Sequence, residues 1–130
     1  MVNSELPQDL IDAGAELVTL LDKEGVQPDA AFWLFDSDLN TWKLILVEAK
    51  VGKEGPKEAY RQIQKYISKL PAEYRDHLSL EDVAITKPDS LPVRLLKMAI
   101  KTGSGVSGIR FKNSVINGMP IEDAYIYRLT

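Results

Sequence analysis

The sequence contains no cysteine and a single histidine, His77. The first absence excludes disulfides and thiolate metal sites, and the second leaves no zinc site of the usual His/Cys composition. A basic leader followed by an apolar core is missing from the opening Met-Val-Asn-Ser-Glu-Leu-Pro, and no apolar run approaches membrane-spanning length. A cytoplasmic protein with no membrane association is therefore expected. There is no Gly-x-x-x-x-Gly-Lys-Ser/Thr arrangement, so Gly103–Gly108 reads as a helix-to-strand connection rather than a phosphate loop. No internal repeat or low-complexity stretch stands out. Nor is there an excess of positive charge: the net charge of −3 argues against nucleic-acid binding by bulk electrostatics.

What is present describes one soluble domain over residues 1–130, 45% hydrophobic and 27% charged, enough for a single core. The charge is unevenly placed. Residues 1–50 carry ten acids and three bases, whereas residues 51–130 carry nine acids and thirteen bases. Such asymmetry suits an acidic metal-binding half beside a basic, phosphate-facing half, and equally an ordinary scatter of surface charge.

Leu10, Ala13, Leu17, Leu20 and Leu21 recur at helical spacing, so residues 8–23 read as an amphipathic helix closed near Gly25. The apolar run Ala30–Phe35 and the stretch Thr41–Val47 flank Asp36-Ser-Asp-Leu-Asn40, whose residues favour a turn. These two strands should form an antiparallel hairpin. From Pro56 to Leu70, Ala59, Tyr60, Ile63, Tyr66, Ile67 and Leu70 define the apolar face of a second helix, ended by Pro71. Asp82–Thr86 reads as a short buried strand. Pro88-Asp89 reads as a turn leading into a helix over about 91–102, with Ser90 as N-cap and Pro92 in the first turn. Ile109–Ile116 and Ile121–Leu129 flank Asn117-Gly118, a strong hairpin signal. The order α-ββ-α-β-α-ββ is that of an α+β domain with a mixed central sheet. Phe32, Trp33, Phe35 and Trp42 read as core and cross-strand packing in preference to base stacking.

The first hairpin carries the chemistry. If its turn centres between Asp38 and Leu39, opposed residues have numbers that sum to 77, and Asp29 faces Glu48. Opposed side chains share a sheet face with Cβ atoms about 4.5–5.5 Å apart. Lys50, two residues beyond Glu48, projects on that face as well. A one-residue slip would separate the groups, so the register decides the matter. Two adjacent carboxylates repel unless protonated or bridged by a cation, and a hard divalent ion such as Mg²⁺ or Mn²⁺ suits them. The Ala49 carbonyl offers a further oxygen. A metal there would polarise a phosphodiester and help to generate hydroxide, with the Lys50 ammonium set against charge developing on the phosphate.

Pro28-Asp29, eighteen intervening residues, and Glu48-Ala49-Lys50 after Leu44-Ile-Leu-Val47 resemble the motif of the PD-(D/E)xK nuclease superfamily. Gln62-Ile63-Gln64-Lys65-Tyr66 is similar to the Gln…Tyr helix of its RecB-like branch. The resemblance covers residues 8–87 and leaves 88–130 as a C-terminal helix and hairpin. It implies catalytic roles for Asp29, Glu48, Lys50 and Gln62, metal ligation by Asp29, Glu48 and Ala49, and Gln64 as the competitor of Gln62. It implies a nucleic-acid substrate, DNA being the expected form. At this size, a homodimer or a protein partner is expected to extend the binding surface. The family core also carries a strand between its first helix and the Pro-Asp strand, for which residues 22–28 leave little room. A catalytically inactive interaction module of the same fold is the alternative, and an unrelated α+β interaction domain the third reading.

Lys53, Lys57, Arg61, Lys65 and Lys69 recur every four residues or so after the motif. They form either a stripe along a phosphate backbone, with Lys53, Lys57 and Arg61 nearest the site, or a solvated helical face supported by Glu54 and Glu58.

Overall fold

The computed structural model describes residues 5–47 and 55–130. Helix α1 spans Gln8–Lys23, and strands β1 (Ala30–Asp36) and β2 (Thr41–Val47) follow it. Helix α2 spans Pro56–Lys69 and α3 is a single turn, Ala72–Arg75. A short 3₁₀ turn at Leu80–Asp82 leads to β3 (Val83–Thr86), α4 (Leu91–Ala99), β4 (Ile109–Ile116) and β5 (Met119–Leu129). The expected order of elements holds, with α4 ending about one turn early. No helix among the described residues is long and apolar enough to cross a membrane.

Local chemistry accounts for the element ends. Pro56 sits in the first turn of α2 and Pro92 in that of α4, where a missing N–H costs no helical bond. The β1–β2 turn is closed by the Asp36 carboxylate, which accepts from the backbone N–H of Asp38 and Leu39 at 3.0 and 3.3 Å. Asn40 completes it in the left-handed region at φ 52°. Asn117 and Gly118, at φ 50° and 79°, make the β4–β5 turn with the left-handed residues such a two-residue loop requires.

The strands form one mixed sheet in the order β3-β2-β1-β5-β4, in which only β2 and β3 run parallel. In the first hairpin Ala30 pairs with Val47, Ala31 with Leu46 and Asp36 with Thr41, so the partners sum to 77 throughout. The expected register is the observed one. The C-terminal strand β5 lies antiparallel beside β1, deep in the sheet, with Ile126 and Leu129 fully buried.

Each sheet face supports its own core. Ala31, Trp33, Leu44, Leu46, Val83 and Ile85 face α1, α2 and α3, packing on Ala13, Leu17, Leu21, Ala59, Ile63 and Ile67. Ala30, Phe32, Ile45, Val47 and Ile126 face the other way and are covered by Val93, Leu95 and Leu96 of α4. The four aromatic residues of the hairpin belong to these cores, Phe35 and Trp42 stacking at a tilt 5.4 Å apart.

Candidate functional site

The site end of the sheet is defined by one row of paired residues. Thr86 of β3 pairs with Val47, Val47 with Ala30, and Ala30 with Leu129 of β5. Asp29 immediately precedes β1. Its side chain is exposed, on the side of Asp22 of α1 and Arg128 of β5, with which it lines one cavity.

The backbone at Asp29 is held from β5. Thr130 donates to the Asp29 carbonyl through its backbone N–H (3.2 Å) and its hydroxyl (2.8 Å). Arg128, 4% exposed, donates through Nη1 to the Pro28 carbonyl at 3.0 Å. The same guanidinium grips Asp22 of α1 with two bonds, Nη1 to Oδ1 at 3.0 Å and Nη2 to Oδ2 at 2.6 Å. Fork-to-carboxylate pairing of this kind fixes direction as well as distance. α1, the Pro28 peptide and β5 thus meet at one cation. The chain enters this clamp through Gln27 at φ 44°, a left-handed conformation that a glutamine rarely adopts.

A β-bulge aims Arg128 there. Ala31 pairs with Arg128 but Phe32 pairs with Ile126, so Tyr127 is an extra residue in the ladder. Tyr127 and Arg128 consequently both turn towards α1, against simple alternation. The Tyr127 hydroxyl accepts from Trp33 Nε1 at 2.9 Å and donates to the Ile11 carbonyl at 2.6 Å.

Around Asp29 lies an open cavity of about 270 Å³ lined by Asp22, Gln27, Pro28, Asp29, Ser104, Arg128 and Thr130. Both oxygens of Asp22 are committed to Arg128, whereas the Asp29 carboxylate forms no ion pair among the described residues. The described residues include no group of three His, Cys, Asp or Glu side chains able to hold a metal. Of the anticipated donor set, Asp29 is described, whereas Glu48, Ala49 and Lys50, with Lys53, lie outside the described residues.

Gln62 is exposed on α2. Nearby, Tyr60 of the same helix accepts from the backbone N–H of Ile85 at 2.9 Å, and Ile85 pairs with Leu46 one row in from the site end. The early turns of α2 therefore lie against that end of the sheet. Gln64 is engaged along its own helix, donating to Ser68 Oγ at 3.3 Å, while Gln62 has no side-chain bond among the described residues. Lys57 and Arg61 are exposed, and Arg61 pairs with Glu58 at 2.9 Å. His77 is an exposed residue 3.9 Å from Asp9.

Asp22, Arg128 and Thr130 were not singled out by sequence pattern. A lone Arg in the apolar run Ala124-Tyr-Ile-Tyr-Arg-Leu129 is the signal that could have found the clamp. Compared with known proteins, the chain matches no family model, no curated sequence and no solved structure.

Proposed function

We propose that this protein hydrolyses phosphodiester bonds of nucleic acid, with Asp29, Glu48 and the Ala49 carbonyl holding Mg²⁺ or Mn²⁺. The observation that carries this reading is the hairpin register. The described ladder runs to Ala30–Val47 with partners summing to 77, and one further pair in that register is Asp29 with Glu48. Leu44 and Leu46 face α1 and α2, and it is alternation continued along the sequence that leads us to expect Glu48 and Lys50 on that side.

When bound, the ion supplies Lewis acidity towards the phosphate and lowers the pKa of its water. The chain's own groups do the rest. Lys50 sets an ammonium against the charge developing on the phosphate oxygens. Gln62, whose amide has no bond to another described side chain, orients the attacking water or a non-bridging oxygen. Arg128 and Thr130 hold the Pro28–Asp29 backbone, which fixes the main chain from which the carboxylate projects.

Cleavage of labelled duplex DNA, single-stranded DNA and RNA in Mg²⁺ or Mn²⁺ tests the reading. Activity should vanish with EDTA, fall to background in Asp29→Asn and Glu48→Gln, and drop about a hundredfold or more in Lys50→Ala. A folded wild-type protein that cuts none of these substrates and binds neither ion by calorimetry would sink it. Nucleic-acid binding without cleavage would favour the inactive module of the same fold.

A further inference from the structure

Helix α4 runs along the site end of the sheet on the face opposite α1 and α2, from the end of β3 to the end of β5. Before it, Ser90 donates to the hydroxyl of Thr86 at 3.3 Å; after it, Thr102 exchanges bonds with Leu129 at 2.8 Å in both directions. Thr86 and Leu129 are the two ends of the row that runs through Val47 and Ala30. The helix has 9 residues. Its length of about 14 Å matches the about 14 Å spanned by three inter-strand gaps. Val93, Leu95 and Leu96 pack beneath it on Ala30, Val47 and Leu129.

The outer side of this helix is basic. Between Lys87 and Gly108 there are four bases, Lys87, Arg94, Lys97 and Lys101, and one acid, Asp89. Arg94, Lys97 and Lys101 are exposed, and none forms an ion pair among the described residues. Lys97 and Lys101 line a second cavity, of about 240 Å³, over Ile100, Leu129 and Thr130. Thr130 also lines the Asp29 cavity, so the two cavities meet at one residue.

On α2, Lys57 is exposed beside the site end without an ion pair among the described residues, but other bases of its stripe are engaged. Arg61 is paired with Glu58 at 2.9 Å and Lys69 lies 5.5 Å from the Tyr66 ring centre. From Tyr60, beside the site end, the helix carries Lys69 about 14 Å along its axis.

We infer that Arg94, Lys97 and Lys101 form the track that binds the phosphodiester backbone of the nucleic acid engaged at Asp29. This inference rests on the proposed nucleic-acid substrate. Backbone contacts of this kind are electrostatic and independent of base sequence, and each contributes to the salt dependence of binding. A negative net charge does not oppose them, because the cations are concentrated where the strand passes.

Fluorescence anisotropy with short fluorescein-labelled single-stranded and duplex DNA, in EDTA to keep cleavage out of the measurement, provides the test. The triple variant Arg94→Gln, Lys97→Gln, Lys101→Gln should bind at least about tenfold more weakly than wild type, and the slope of log affinity against log salt should fall by about two to three. Lys57→Gln with Arg61→Gln should change binding by less than about threefold. All five side chains are exposed, and circular dichroism verifies that each variant is folded. Wild-type affinity in the triple variant, or a loss carried by the α2 pair instead, would overturn the track. If wild-type protein binds neither DNA, the proposed substrate fails and the track with it. If the triple variant weakens binding in a protein that cuts nothing, the track stands and only the cleavage reading fails.

Discussion

Tyr127 shows how much a single hydroxyl carries. It is 1% exposed, takes the Trp33 indole N–H and gives its proton to the Ile11 carbonyl, linking β1, β5 and α1. Tyr127→Phe keeps the ring but leaves the buried indole N–H unpaired, and should cost about 2 kcal/mol in urea unfolding. Burial, the largest cause, pushes the Tyr127 hydroxyl well above its ordinary pKa of 10.0; the Trp33 hydrogen bond opposes that push without cancelling it. Folding therefore favours the neutral phenol. Its contribution to stability is fully present below pH 10 and is lost as pH rises from there through the folded pKa. One proton limits that slope to about 1.4 kcal/mol per pH unit. Stability measured from pH 9 upward should fall less steeply in Tyr127→Phe than in wild type, and equal slopes would contradict the assignment.

At the scale of elements, α1 is placed by a glycine in its interior. Gly14 is buried, and a Cβ there would press on the Tyr127 hydroxyl and come within 2.8 Å of Trp33 Nε1. Glycine weakens a helix by about 1 kcal/mol relative to alanine, so propensity alone favours Gly14→Ala. Close approach outweighs it: overpacking against two hydrogen-bonded rings should leave Gly14→Ala less stable by about 2 kcal/mol net. Thermal melting of the two proteins decides between them, and a stabilised variant would mean that α1 can shift outward freely. The apolar spacing of Leu10, Ala13, Leu17 and Leu21 is legible in the sequence as a helix. The need for Gly14 is not, because the rings it must clear come from β1 and β5.

For the whole molecule, residues 88–130 complete the sheet. β5 sits between β1 and β4, its Leu129 closing the site-end row and its Arg128 and Thr130 holding Pro28 and Asp29. Removing β4 and β5 by ending the chain at Ser107 would strip β1 of a partner and expose Trp33, Phe32 and the base of α1. Such a chain should show no cooperative unfolding transition in calorimetry, even though it retains the whole Pro-Asp to Lys50 motif. A sharp transition would show that residues 8–87 form a core of their own.

The elements and the β1–β2 register were readable along the chain because both are local. Helical spacing needs only the helix, and a hairpin register follows from the turn that joins its strands, here Asp36 to Asn40. That is why the Pro28-Asp29 and Glu48-Ala49-Lys50 pairing could be argued at all. The company Asp29 keeps is a tertiary matter. Asp22, Arg128 and Thr130 are separated from it or from one another by up to about a hundred residues. No periodicity relates such distant positions. The bulge at Tyr127 moreover reverses the alternation by which the facing of Arg128 would be judged. Likewise, the residues of α4 announce a helix, but only the row from Thr86 to Leu129 sets that helix along the end of the sheet beside which Asp29 stands.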